Sequence, residues 1–295
     1  MPHFGVLNVN KPPNCTSRDV VDRVERLTRP SRAGHAGTLD PLATGVLVIC
    51  VGQATRLIQY VQRLPKSYTA TFLLGYHSET DDSEGQVTPV EGAPQPARAT
   101  IETALPKFLG AIQQRPPNHS AVKIAGRRAY KLARQGKAIE IAPRTVTVHR
   151  LEVRRYDYPE LELEIECGSG TYIRSLGRDL AAALGTAAVM TALERTSVGG
   201  FHVEDAVAPE GLTLESLAQN LQPALAAVTK LPRITLSEAQ LIEVRHGRPI
   251  SAPQLEARSV SSATEWAAVD RIGKLTAILF EKRPGQLWPA CNFQD

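Results

Sequence analysis

From Leu161 to Cys167 the chain alternates without a break. Leu161, Leu163, Ile165 and Cys167 are apolar, and Glu162, Glu164 and Glu166 between them are acidic. Successive side chains of a strand point to opposite faces, so the segment predicts a strand with one buried and one wet face. Tyr68 to Leu74, rich in Tyr, Thr, Phe and Leu, predicts a second strand, and the apolar run Gly45 to Val51 a buried one. Helical spacing of Val20, Val21, Val24 and Leu27 predicts a helix over Ser17–Thr28, capped by Thr16 or Ser17 and stopped by Pro30 and Gly34. Short helices are expected over Ala54–Val61 and Thr186–Leu193, and a longer one over Thr171–Leu184, ended by Gly185. Strands and helices come in irregular blocks rather than in even alternation. That argues for an α+β fold with a mixed, mainly antiparallel sheet.

Beyond Phe201 the texture changes. Leu212–Val228 reads as helical, Lys230-Leu231-Pro232 as a linker, and Ser237–His246 as a short helix ending at Gly247. Trp266–Val269 and Lys274–Phe280 then read as strands of a small β-rich unit. Thr88–Ala99, rich in Pro and Ala, reads as an exposed loop.

A chain of 295 residues, 42% hydrophobic and 22% charged, has enough apolar material for a real core. This excludes a disordered, collagen-like or disulfide-framework protein. Gly45–Val51, the longest strongly apolar run, is too short to span a bilayer. No secretory signal is read at the N-terminus, and Cys15, Cys50, Cys167 and Cys291 are scattered as in a reducing compartment, so a cytoplasmic protein is expected.

Charge is unevenly placed. Between Arg115 and Arg150 nine basic residues face Glu140 alone, so this stretch carries +8 in a chain whose net charge is +4. The remainder is acidic by 4, and a mildly acidic body with one basic segment is the footprint of a polyanion binder. His119, Tyr130 and His149 interleave with the charges and are able to stack or hydrogen-bond with nucleotides. The competing reading is the solvated basic face of a helix over Ala121–Gln135.

The densest local signal is Gly34-His35-Ala36-Gly37-Thr38-Leu39-Asp40-Pro41-Leu42-Ala43-Thr44-Gly45. Its glycines permit tight turns and close backbone approach to a ligand, and a buried strand follows directly. It lacks the Gly-Lys-Ser/Thr of a P-loop. Composition alone leaves it open between a catalytic loop and a structural Asp-Pro turn.

Gly34 to Leu47 resembles the signature of the TruB family of bacterial tRNA pseudouridine synthases, and other segments follow the family's order and spacing from about Phe4 to Phe201. Leu7-Asn8-Val9-Asn10-Lys11-Pro12 resembles its N-terminal Lys-Pro motif, Lys66-Ser67-Tyr68 the motif of the active-site tyrosine, and Gly170-Thr171-Tyr172-Ile173-Arg174 that of the active-site arginine. Leu193-Glu194-Arg195-Thr196 resembles a late motif bordering the pocket. Pro116–Gly136 looks like the insertion, or thumb, that grips the tRNA T-loop.

The resemblance implies an α+β pseudouridine synthase domain over residues 1–230, with a thumb at about 115–144, and a PUA-like unit over 231–295. A β appendage of another kind is the alternative for the latter. It implies an isomerase that flips uridine 55 out of the tRNA T-loop, breaks its glycosidic bond and rejoins it through C5. Asp40 is the implied catalytic carboxylate, either as nucleophile or by removing a sugar proton; Arg174 orients it, and Tyr68 helps remove the C5 proton. Implied substrate contacts are His35, Asp82, Tyr172, Leu193, Lys11, Arg127, Arg128 and Lys131. Lys11 has two readings, a phosphate contact or a clamp on the N-terminal loop. Glu79-Thr80 stands where the family usually has Asp-Thr, which leaves the first acidic position of that loop without a firm role. No cofactor, metal, membrane or obligatory protein partner is implied, and a monomer is expected. A guide-dependent synthase of the dyskerin type and a non-enzymatic tRNA-folding chaperone are the alternatives.

Overall fold

The computed structural model describes residues 3–117, 123–124, 127–128, 141–251 and 264–293. Its main sheet is built from β1 (Gly5–Lys11), β2 (Ala33–His35), β3 (Thr44–Val51) and β4 (Lys66–Leu74). Two small ribbons pair β5 (Tyr76–His77) with β6 (Thr88–Pro89) and β8 (Lys123–Ile124) with β9 (Arg127–Arg128); β7 (Gly110–Gln114) lies between them in sequence. The main sheet is completed by β7, β10 (Arg144–Asp157), β11 (Glu160–Cys167), β12 (Ala188–Val198) and β13 (Phe201–His202). Strand order is β1-β3-β12-β4-β11-β10-β7, with β2 added to β3 and β13 to β12. Among these pairings only β3–β12 is parallel, so the expected α+β class and mixed, mainly antiparallel sheet are present.

The alternating segment behaves as its pattern demands. Leu161, Leu163, Ile165 and Cys167 are buried, and they share a core with Leu176, Leu180 and Ala181 of a covering helix, Ile173–Ala183. On the wet face Glu160, Glu162 and Glu164 pair with Arg155, Arg154 and Arg150. Such exposed pairs contribute about 0–1 kcal/mol each, so the apolar face is what fixes the register.

That helix lies unusually close to the sheet. A Cβ at Gly177 would sit 2.0 Å from the ring of buried Phe72 on β4, so only glycine permits the approach. The first helix, α1 (Ser17–Thr28), follows its sequence signals, with Thr16 and Asp19 forming a reciprocal capping box.

Two expected helices are corrected. Thr186–Leu193 is the beginning of β12, whose two edges pair with β3 and β4. Its Val189 and Met190 are fully buried, and this central placement overrides the helical preference of its alanines. Leu212–Val228 divides into a helix at Leu214–Asn220 and a 3-10 turn at Ala224–Val228, because Leu221 is extended and Pro223 supplies no N–H to continue the ladder.

Arg233 onward forms a second, five-stranded sheet. It comprises β14 (Arg233–Thr235), β15 (Ile250–Ser251), β16 (Glu265–Val269), β17 (Leu275–Arg283) and β18 (Gln286–Asn292), in the order β14-β16-β17-β18-β15. Phe293 stacks on Phe4 at 5.4 Å, and the Tyr60 hydroxyl donates to Glu265 at 2.9 Å, which docks this unit on the first.

A candidate active site at the fork of the large sheet

Along one edge β3 pairs first with β12 and then with β2, while its other edge is taken by β1. The loop between β2 and β3 therefore emerges where the sheet forks, and Asp40 lies on it. Local chemistry holds this loop rigid. Gly45 has φ +94°, and a Cβ there would meet the Arg195 carbonyl oxygen at 2.3 Å. The Leu39 N–H donates to Ser17 Oγ at 2.9 Å, and that hydroxyl lies 3.1 Å from the Leu39 carbonyl. Lys11, fully buried, donates to the carbonyls of Pro12, Pro41 and Ala43 at 2.8, 3.2 and 2.7 Å. Those three bonds use the whole donor set of an ammonium, so here Lys11 fastens the Asp40 loop to the N-terminal strand.

Asp40 faces Arg174 from the start of the helix Ile173–Ala183. The Arg174 guanidinium, 5% exposed, lies 3.0 Å from Asp40 through Nη2 and 3.0 Å from Asp82 through Nη1. Nη1 also donates to the Thr80 carbonyl at 2.9 Å. A planar fork is the side chain able to bridge two carboxylates in one fixed geometry. Burial raises the Asp40 carboxyl above its usual value, and the neighbouring guanidinium works against that rise.

Asp82, an expected nucleotide contact, is fully buried behind Arg174, with Thr80 Oγ1 at 2.5 Å and the Glu84 N–H at 3.1 Å on Oδ1. It supports the guanidinium. One turn further along the helix Arg178 holds Asp81 at 2.9 Å and donates to the Arg115 carbonyl at 2.9 Å.

Tyr68, nearly buried on β4, lies opposite Ile165 and Arg195 in the register. Leu193 is buried in the cluster that contains Tyr68, Leu39 and Ala43. Tyr172 caps the Arg174 helix and exchanges two hydrogen bonds with the Gln114 side chain, at 2.8 and 3.0 Å. Arg144 lies 4.7 Å from the centre of its ring. His35 is partly buried on β2; burial and the nearby Arg195 and Arg18 lower its pKa, and its Nδ1 is without a hydrogen-bond partner among the described residues. Arg127 and Arg128 lie on β9, whereas Lys131 and most of the basic segment lie outside the described residues.

Two functional candidates escaped the sequence reading. Arg195, which the motif reading left without a role, is fully buried beside Tyr68. Gln114 gave no local signal, since it acts on a backbone 58 residues away. Among the described residues no helix is long and apolar enough to cross a membrane.

The chain as a whole is similar to known proteins. A family model described as TruB family pseudouridylate synthase (N terminal domain) matches residues 25–173. The tRNA pseudouridine synthase B of Thermobifida fusca is 45% identical over 255 residues, covering 84% of this chain and 86% of that protein. That of Mycobacteroides abscessus is 40% identical over 287 residues, covering 94% and 92%. Among solved structures, a chain of a Cbf5-Nop10-Gar1 complex superposes with a TM-score of 0.74 at 26% identity, covering 99% of this chain and 84% of that one.

Proposed function

Since the chain belongs to the TruB family of pseudouridylate synthases, we infer that it is a tRNA pseudouridine synthase, an isomerase that turns a uridine of tRNA into pseudouridine. The finer reading is that the target is uridine 55 of the T-loop and that the protein works alone in the cytoplasm. The observation that carries it is Asp40 held at the sheet fork by a buried arginine, within a chain 40–45% identical to relatives named for this activity. The likeness to Cbf5, at 26% identity, favours the guide-dependent alternative less, because it is the more distant.

The mechanism follows from the side chains. The uridine leaves the T-loop stack, at a cost of a few kcal/mol. Asp40 assists cleavage of the bond between C1′ and N1, as nucleophile or by removing a sugar proton, and stabilises positive charge gathering on the ribose. The base turns, and its C5–C6 π pair bonds to C1′ while the electron pair on N1 forms a C6–N1 double bond; the same step displaces the Asp40 carboxylate from C1′ or, on the other route, is accompanied by return of the sugar proton. The C5–H bond then breaks and its electron pair restores the C5–C6 double bond, while the C6–N1 pair moves to N1, which takes a proton from water. Tyr68 receives the C5 proton. His35 contacts the displaced nucleotides, Tyr172 and Leu193 line the pocket, and the basic segment with Arg127, Arg128 and Lys131 grips the T-arm. The C-terminal unit, read as PUA-like, contacts acceptor-stem phosphates.

The direct test is pseudouridine formation at position 55 of an unmodified tRNA transcript by the purified protein alone. Product supports a stand-alone synthase; tight binding without product favours the guide-dependent or chaperone alternative. Neutralising Arg127, Arg128 and Lys131 together is expected to weaken tRNA binding and to flatten its salt dependence by a slope of about 2–3. Unchanged affinity would remove the basic segment from the binding surface.

The pH dependence has a definite sign. The working form of Asp40 is the carboxylate, and burial raises its pKa above the ordinary 3.8. The single-turnover rate should therefore climb with pH through a midpoint above 3.8. A rate that is still flat as pH falls to that value speaks against Asp40 as the working group.

A further inference from the structure

Arg195 is 2% exposed and among the largest fully buried side chains described. A guanidinium withdrawn from water normally keeps a carboxylate beside it, because its desolvation penalty is several kcal/mol. Here the described hydrogen-bond partners are all neutral oxygens. Nε donates to the Val46 carbonyl at 2.7 Å and Nη2 to the Gly37 carbonyl at 3.1 Å. Tyr68, itself buried, stands directly opposite Arg195 in the strand register, which brings the phenol beside the guanidinium. A second buried cation lies close by: Lys66, pushed down to about 8 by burial and by Arg195, donates to the carbonyls of Gln62 and Leu64. Among the described residues neither cation forms an ion pair, and strand alternation and register place both beside Tyr68. The backbone register fixes the place of Arg195, which is opposite Tyr68 on β4 and opposite Gly45 on β3.

We propose that Arg195 is the positioning residue of the C5 proton transfer, holding the Tyr68 hydroxyl through one arm of its fork and the Gly37 turn of the Asp40 loop through another. This rests on Tyr68 being the acceptor of the C5 proton. A donor-only guanidinium compels the phenolic oxygen to act as acceptor toward it. The oxygen then has a fixed direction, with its remaining valence turned toward the base. The phenol gives its proton to water and takes the C5 proton as phenolate. Negative charge on that oxygen is disfavoured by burial and favoured by Arg195. The same side chain also holds the Gly37 carbonyl, in a loop that Lys11 and Ser17 already fix. Glycosidic cleavage at Asp40 would proceed without it; re-aromatisation at C5 would not.

The test uses single-turnover kinetics on tRNA carrying uridine with hydrogen or deuterium at C5, with the full chain and the variants Arg195→Gln, Arg195→Lys and Tyr68→Phe. Arg195→Gln is expected to slow product formation by about 10²-fold, the size of effect seen when one oriented donor to a developing negative charge is lost. Its tRNA affinity should stay within about twofold of wild type. A primary isotope effect at C5, larger than in wild type, should appear because C5–H cleavage becomes limiting. Arg195→Lys, which keeps the charge but not the fork, should recover about tenfold of the lost rate. If Arg195→Gln does not fold, Arg195→Lys carries the same isotope measurement. A slowed variant with an unchanged isotope effect would show a merely structural role and overturn the proposal, as would a wild-type rate. A wild-type rate in Tyr68→Phe would instead overturn the reading of Tyr68, and absence of product from the unaltered protein the proposed function itself.

Discussion

Asp40→Asn is expected to lower the single-turnover rate of pseudouridine formation by at least about 10³-fold while leaving tRNA affinity within about twofold. The substitution removes the charge and keeps the volume. An amide neither attacks a sugar carbon nor balances positive charge on a ribose, so both routes open to Asp40 close together. Binding should survive because the fold around the loop does not depend on the carboxylate. Lys11 and Ser17 hold the loop through backbone atoms, and Arg174 keeps Asp82 and the Thr80 carbonyl. Loss of a negative charge near RNA also removes a repulsion. Rapid-quench assay of product beside filter binding of the same tRNA decides it: retained turnover would remove Asp40 from the chemistry, and lost binding would make it a structural residue.

Arg174→Met should cost both activity and stability. Asp82 would be left fully buried without its guanidinium, and breaking a buried pair in this way costs about 3–5 kcal/mol. Asp40 would lose its ion-pair partner, so its carboxyl would rise further and less of it would be ionised. A combined Arg174→Met and Asp82→Asn change should regain much of the stability in urea unfolding without regaining turnover, since the second change removes the stranded charge but restores nothing to Asp40. Recovery of both together would mean that Arg174 acts only through the fold. No destabilisation in the single variant would mean that the Asp82 pair contributes nothing.

What the sequence reveals and what it hides follows from distance along the chain. The β11 alternation, the α1 capping box and the glycine-rich loop are local patterns, and each is legible because neighbouring residues alone determine it. β12 is hidden because a strand paired on both edges and packed centrally lacks the regular apolar–polar alternation of β11. The acidic loop that carries Asp82 is visible in the sequence, whereas its pairing with an arginine 92 residues further on is not. Lys11 left two readings open for the same reason: its carbonyl partners at Pro41 and Ala43 belong to another segment. Arg195 is the extreme case, a charged residue that donates to backbone oxygens near residue 40 and stands opposite a tyrosine on the neighbouring strand.

Gly177 gives the fold an engineering rule. Glycine inside an exposed helix is an ordinary target for stabilisation, since alanine there recovers about 0.5–1 kcal/mol of propensity. At this position the missing methyl is a shim of zero thickness between the helix and Phe72. Adding one would raise the whole helix, and Arg174 with it, away from a loop that Lys11 and Ser17 hold fixed to the other side of the site. The overlap with the buried ring costs more than the helix propensity of alanine returns, so at this glycine stability and the alignment of the ion pair would be lost together.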